Sequence, residues 1–343
     1  MRHRMERRDA MKALVTGGTG FLGGRLALSL RDRGWDVTAL GRNPQKGKEL
    51  RRRDIRFEQA DLRDGDRVLA ACAGQDAVFH CGALSSSWGA YADFHAHNVL
   101  GTEHVLAGCR RHGAARLIHV STPSVCFGGA ERLNVRETDP LPAKQASPYA
   151  ETKRLAERAV LAACSEGLPA VIVRPRALFG PGDASILPKL LAANMTRGIP
   201  LIDGGRALID LTFVDNAVQA LLLCQSAPEA VCGRIYHVTN GEPLPFREAV
   251  DMLFRLLGIP VRYKPLPYTA AYAAAWLMEM SAHLLRKEPM LTRAMAGMLG
   301  RSQTLDIGAA RRELGYSPTV GVEAGMQVYA DWRQGSSVSA RER

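Results

Sequence analysis

The chain has 343 residues, 46% of them hydrophobic and 23% charged, with 45 Lys and Arg against 34 Asp and Glu for a net charge of +11. That length and balance describe one large folded domain or two joined ones around a substantial core, and exclude a disordered or bilayer-spanning chain. The positive charge is scattered or held in short runs such as Arg51-Arg52-Arg53, with no nucleic-acid motif, so it reads as solvated surface and no nucleic-acid partner is expected.

Residues 1–10 read as a basic tail without the apolar segment of a secretory signal. A first strand is expected at 13–16, then a glycine-rich turn and a helix over 21–33. Strands at 37–40 and 55–58, a helix over 64–71, a strand at 77–80 and a long helix over 92–112 follow. A strand at 117–121, a helix over 148–166 opened by Pro148, and a strand at 170–174 continue the alternation. Such alternation implies right-handed crossovers and an α/β fold, a Rossmann-type doubly wound parallel sheet with ligand at the carboxyl ends of its strands.

Beyond Arg174-Pro175 the pattern loosens into a turn at Phe179-Gly180-Pro181-Gly182-Asp183, a helix over 186–196 and a break at Gly204-Gly205. Strands at 210–214 and 235–239, with a helix over 215–225 between them, are expected to return to the sheet, and 241–334 reads mostly helical. The expected organisation is a tail at 1–10, a dinucleotide-binding domain at 11–178 to which 210–239 returns, a smaller, mostly helical C-terminal substrate lobe from 179–209 and 240–334, and a tail at 335–343. The alanine-rich stretch 269–285, interrupted by Glu279 and His283, is too short to span a bilayer and reads as a helix packed on the lobe, with membrane-surface contact as the alternative. Seven cysteines make no Cys-x-x-Cys pair, which argues against a disulfide framework or zinc site and fits a reducing, cytoplasmic setting. The histidines show no metal spacing, and no metal is expected.

Two motifs carry the chemistry. In Thr16-Gly17-Gly18-Thr19-Gly20-Phe21-Leu22-Gly23, Gly17 permits a tight turn and Gly20 lets backbone amides approach a pyrophosphate. Gly23 allows the helix to lie close to the strand, with phosphates on the helix N-terminus. The second strand ends Ala39-Leu40-Gly41-Arg42-Asn43 without the acid that would hold ribose hydroxyls, and Asp36 lies at its far end. Arg42 is placed to bind a 2′-phosphate, so NADP(H) is favoured over NAD(H). Asp61-Leu62 after the third strand and Gly82-Ala83 after the fourth are further cofactor candidates.

The second motif is Tyr149-Ala-Glu-Thr-Lys153, whose ends share one helical face. A free phenol titrates near about 10, and an ammonium one turn away is expected to lower that towards the range of a general acid/base. A hydroxyl after the fifth strand completes the set: Thr122 first, then Ser121 and Ser124. Asn98 stabilises a bend in the fourth helix, leads a water to Lys153, or makes ordinary helix bonds.

In this order these residues resemble the extended short-chain dehydrogenase/reductase superfamily, that of the NAD-dependent epimerases and dehydratases, from about Met11 to Gln334. Arg174-Pro175-Arg176-Ala-Leu-Phe179-Gly-Pro-Gly-Asp183 and Leu211-Thr-Phe-Val-Asp-Asn-Ala217 are similar to its later landmarks. Within it the chain resembles the 3β-hydroxysteroid dehydrogenase-like branch and the bacterial 2-alkyl-3-oxoalkanoate reductases, through Ser87-Trp88-Gly89-Ala90-Tyr91, Asn240-Gly-Glu-Pro-Leu-Pro245 and Pro289-Met-Leu-Thr-Arg293. The resemblance implies hydride transfer between a nicotinamide and a 3-oxo/3-hydroxy group of a hydrophobic small molecule, an alkyl oxo acid or a steroid-like ring. It implies Tyr149 as general acid/base, Lys153 on the nicotinamide ribose, Thr122 orienting the substrate oxygen, Ser121 and Pro175 beside the cofactor, and a homodimer through 92–112 and 148–166. Trp88, Tyr91, Ser124, Arg176 and Phe179 are the candidate substrate residues. Dehydratases of this superfamily follow the threonine with Asp-Glu; Pro123 and Ser124 stand here, which disfavours elimination. A nucleotide-sugar epimerase or a non-catalytic NADP(H)-binding sensor are the alternatives.

Overall fold

Ala13, Leu14 and Val15 are all fully buried, because successive side chains of one strand point to opposite faces and both faces are covered. The computed structural model describes residues 10–285 and 288–341. Strands β1 (Lys12–Thr16), β2 (Asp36–Gly41), β3 (Arg56–Gln59), β4 (Ala77–His80), β5 (Arg116–Val120), β6 (Ala170–Pro175) and β7 (Ile235–Val238) form a seven-stranded sheet in the order β7-β6-β5-β4-β1-β2-β3. Every pairing in it is parallel. The strand order reverses between β1 and β4, which opens a crevice at their carboxyl ends.

The helices are α1 (Phe21–Asp32), α2 (Pro44–Arg51), α3 (Gly65–Ala71), α4 (Tyr91–Phe94), α5 (Gly101–His112) and α6 (Pro148–Ser165), then α7 (Leu187–Met195), α8 (Val214–Ser226) and α9 (Phe246–Leu257). They end with α10 (Tyr268–Leu285), α11 (Arg293–Gly300), α12 (Gly308–Leu314) and α13 (Val322–Arg341). One face of the sheet is closed by α1, α8 and α12, through Leu26, Leu30, Ala217, Leu221 and Leu314 against Val15, Phe79, Ile118 and Val173. The other is closed by α3, α5 and α6, through Val68, Val105, Leu106 and Val160 against Leu14, Val78, Leu117 and Ile172. Each such fully buried side chain contributes about 1.5–3 kcal/mol of transfer free energy.

The lobe has its own core, with Phe179, Phe213, Leu253, Phe254, Met326 and Tyr329 packed together. It is mostly helical, with short strands as well. Strands Leu244–Pro245, Leu208–Ile209, Gln303–Leu305 and Arg132–Val135 make a four-stranded sheet, and Tyr263–Leu266 pairs with Ile199–Ile202. The strand expected at 210–214 does not return to the main sheet: Thr212–Phe213 pairs instead with Leu178–Phe179. Thr212 Oγ1 donates to the carbonyls of Arg176 and Val238, which holds the segment beyond the strand ends. Residues 335–341, expected as tail, continue α13; positions 1–9, 342 and 343 of the expected tails lie outside the described residues. Helix α10 buries Ala271 and Ala275 and exposes Tyr272, Trp276, Leu277 and Met280. Among the described residues no helix is long and apolar enough to cross a membrane.

Candidate active site

The glycines of the β1–α1 turn are demanded by contacts. Gly17 has φ +67°, and a Cβ there would lie 2.7 Å from the Gly82 Cα. At Gly23 a Cβ would stand 2.4 Å from the Gly17 carbonyl oxygen, and at Gly18 one would meet the Ala39 side chain at 2.6 Å. Gly41 was not foreseen, yet a Cβ on it would lie 2.5 Å from Thr19 Oγ1. The loop is thus seated on the ends of β2 and β4. Gly20 caps α1 without a side-chain hydrogen bond and the first turn carries no acid, so the amides of Phe21, Leu22 and Gly23 form an uncontested anion cradle. These residues fit the pyrophosphate of a dinucleotide.

Arg42 follows β2 with its side chain 60% exposed; its Nη1 lies 3.3 Å from His97 Nε2 and 3.7 Å from Asp61 Oδ2. Burial raises the Asp61 carboxyl, but the hydrogen bonds and charge of Arg63, aided by His97, win and hold it at about 2. Asp36 sits at the start of β2, bonded to Arg56, far from the turn. Leu62 turns its side chain into the core against Gly82 and Gly101, and its carbonyl accepts from His104 Nδ1. Gly82 donates its N–H to Thr16 Oγ1, which in turn contacts His80 Nδ1 at 2.7 Å, while Ala83 beside it is half-buried.

Ser147 caps α6 by accepting from Ala150 N, and Pro148 fixes its first turn, so Tyr149 enters the site from a defined helix start. Its ring packs 6.5 Å from Phe94 of α4, and Thr122 is the side chain that acts on its phenol. Thr122 caps the 3-10 turn Pro123–Cys126 and donates to Ser124 Oγ at 3.0 Å. Ser121 Oγ is buried with no partner among the described residues, the condition of a group that awaits a ligand or water. One turn from Tyr149, Lys153 is 1% exposed and donates to Val120 O at 2.7 Å and His119 Nε2 at 3.3 Å. Burial pushes its ammonium down to about 8, against the raising pull of Glu157 and Cys81.

This geometry corrects the expectation for the phenol. Burial raises Tyr149 above the ordinary phenol value, with the Thr122 hydrogen bond pulling it partly back. Both identified Lys153 hydrogen bonds go to β5 rather than to the phenol. Asn98 is also resolved. It lies in a π turn, His95–Leu100, between α4 and α5; its Oδ1 accepts from Leu84 N, and its Nδ2 donates to Leu84 O and Thr152 Oγ1. It joins the loop after β4 to α6 and makes no contact with Lys153 in this network.

The candidate substrate residues separate. Tyr91 is 48% exposed at the start of α4, Trp88 is half-buried in the loop before it, and Ser124 adjoins Thr122. Phe179 is fully buried, edge-on to Phe213 at 5.6 Å, and belongs to the lobe core rather than to a pocket. Arg176 is buried beneath the Phe127 ring, 4.7 Å from its centre, and bonded to Gln303, which makes it a brace between the 3-10 turn and the lobe. Pro175 ends β6 beside it. Sequence reasoning missed the buried ion pair of Glu157 with Arg174, whose partners sit on the consecutive elements α6 and β6 with no shared local pattern.

The profile of the NAD dependent epimerase/dehydratase family matches residues 13–239. The chain is 40% identical over 324 residues to a 2-alkyl-3-oxoalkanoate reductase of Stenotrophomonas maltophilia, covering 92% of this chain and 98% of that one. It is 30% identical over 328 residues to the decarboxylating sterol-4-alpha-carboxylate 3-dehydrogenase of Mus musculus, covering 93% and 90%. Among solved structures it resembles MoeE5 in complex with UDP-glucose and NAD, with a TM-score of 0.75 at 26% identity over 95% of this chain and 99% of that one.

Proposed function

This chain belongs to the NAD-dependent epimerase/dehydratase family, and from that premise we propose a ketoreductase that acts on a 3-oxo/3-hydroxy group of a hydrophobic molecule, an alkyl oxo acid before a steroid-like ring. It is a nicotinamide-dependent oxidoreductase of CH–OH groups, as its named relatives are. The observation that carries the finer reading is the phenol of Tyr149, acted on by Thr122 and set four residues from the buried ammonium of Lys153 on one face of α6.

A bound nicotinamide would supply or take the hydride. The turn from Gly17 through Thr19 to Gly23 would hold the dinucleotide, with the amides of Phe21, Leu22 and Gly23 on the pyrophosphate and the Gly20 amide closing the turn onto Gly17 O, and the unpartnered Ser121 hydroxyl would offer one more contact. Thr122 orients the substrate oxygen. Tyr149, a phenol protonated at neutral pH and raised further by burial, gives that oxygen a proton in reduction and recovers it in oxidation. Lys153 sets the charge beside it. Arg42 reads a 2′-phosphate, so NADP(H) is the preferred cofactor, and Trp88 and Tyr91 flank the substrate. A homodimer and a cytoplasmic setting belong to the same reading, supported by the family likeness and by seven free thiols.

The test is oxidation of NADPH and NADH, followed at the nicotinamide absorbance, against 2-alkyl-3-oxo acids, 3-oxo steroids and simple ketones. Turnover confined to a hydrophobic 3-oxo class with NADPH supports the reading. Tight NADPH binding without turnover on any of them would favour an epimerase or a sensor.

A further inference from the structure

His119, the fourth residue of β5, is fully buried against Lys153, with Nε2 at 3.3 Å from Nζ and with Nδ1 unpartnered among the described residues. An ammonium only donates, so the contact requires Nε2 to be the bare nitrogen and Nδ1 to carry the ring proton. Lys153 has three protons to place. One goes to Val120 O, one to His119, and those two bonds fix the direction of the third. Glu157, one turn further along α6, has both oxygens engaged by Arg174, so both of these Lys153 hydrogen-bond partners are uncharged.

We propose that His119 is the positioning residue for Lys153: as a neutral imidazole it accepts one ammonium proton and, with Val120 O, aims the remaining N–H into the hydride-transfer site. This rests on the reading of Tyr149 and Lys153 given under the proposed function. The titratable groups that act on the pair from neighbouring elements are Glu157 on α6, His80 on β4 and Cys81 just after β4. His119 is kept neutral: burial, then the Lys153 charge, then His80 push its imidazole well below the usual range. His80 lies 5.1 Å away, centre to centre, and is itself held down to about 3 by burial and Lys153. Its nitrogens are engaged by Thr16 and Thr102, so it does not compete for the lysine.

An acceptor at hydrogen-bond distance stabilises the charged form of Lys153. Removing it lowers the pH at which Lys153 discharges by about one unit, the size of one hydrogen bond to a charged group. The experiment uses the cofactor-free protein with ¹³Cε-labelled lysine, the Lys153 resonance being identified by its loss in Lys153→Met. Its titration is compared in the wild type, His119→Leu and His119→Gln, whose amide oxygen restores an acceptor at similar reach. The midpoint is expected to fall by about one unit in His119→Leu and to return in His119→Gln. The alkaline limb of kcat/KM for carbonyl reduction moves with it. An unchanged midpoint in folded His119→Leu, equal shifts in both variants, or an alkaline limb that stays while the midpoint moves would each overturn the proposal. Should His119→Leu not fold, the ¹⁵N imidazole spectrum of the wild type decides, because a proton on Nε2 contradicts the contact. The titration needs no turnover, so a failed role for Tyr149 shows separately, in the kinetics of Tyr149→Phe.

Discussion

Glu157 grips Arg174 with two hydrogen bonds, Oε1 accepting from Nε at 2.8 Å and Oε2 from Nη2 at 2.7 Å, and both side chains are almost wholly buried. The pair ties α6 to β6. Tyr149, Lys153 and Glu157 are spaced four apart, so the tie lies on the same stripe of α6 as the two reactive groups. Arg174 also reaches Cys126 Sγ and His237 Nε2, which fastens the 3-10 turn after Thr122 to the same anchor.

Glu157→Ala therefore leaves a buried guanidinium uncompensated, and a loss of about 3–5 kcal/mol in unfolding free energy is expected from urea titration. A loss no larger than that of an exposed ion pair, under about 1 kcal/mol, would mean the pair does not pin the helix.

The pH profile has a definite sign. Reduction needs the phenol protonated and Lys153 charged; burial keeps Tyr149 above its ordinary value and brings Lys153 to about 8. Raising the pH discharges Lys153 first, so kcat/KM for reduction is expected to fall with a one-proton slope above about pH 8. A profile flat to about pH 10 would remove Lys153 as the titrating group.

Arg42→Asp tests the cofactor reading. The side chain is 60% exposed; its Nη1 lies 3.7 Å from Asp61 Oδ2, an acid whose oxygens are also bonded to Arg63, so much of the guanidinium faces outward for a ligand. NADPH affinity is expected to drop about 10- to 100-fold, the range of a charge-assisted hydrogen bond, with a much smaller change for NADH by fluorescence titration. Equal losses for both would mean that Arg42 does not read the phosphate.

Gly23→Ala places a methyl 2.4 Å from the Gly17 carbonyl, and neither backbone can yield cheaply. Dinucleotide affinity is expected to fall about tenfold or more while the lobe built on Phe179, Phe213 and Leu253 keeps its fold, as calorimetric titration and circular dichroism would register. Unaltered affinity would show that the turn tolerates wider spacing.

Much of the dinucleotide-binding half was legible because its signals are local. The glycine rhythm, the apolar strands and the Pro148 helix start each sit within a few residues of what they determine. Helix α2 escaped because Pro44–Arg51 is charged and buries only Gly47 and Leu50; the signal was Asn43, which caps it, followed by Pro44. The small sheets of the lobe use strands of two to four residues, too short to show a period. What the spacing of Tyr149 and Lys153 could not convey is direction. Being on one face of α6 brings both groups to the site, but the choice of Val120 O and His119 as partners for the ammonium depends on β5, over thirty residues away in sequence. Phe179 and Arg176 failed as pocket residues for the same reason, since their burial is set by Phe213 and Gln303.

The most direct test of the account is single-turnover hydride transfer in Tyr149→Phe, with NADPH affinity measured on the same preparation. The ring and its contact with Phe94 are retained and only the hydroxyl is lost. A fall of at least about a hundredfold in the chemical step with NADPH affinity unchanged is the predicted result. Hydride transfer at the wild-type rate would contradict Tyr149 as the proton donor and, with it, the proposed site.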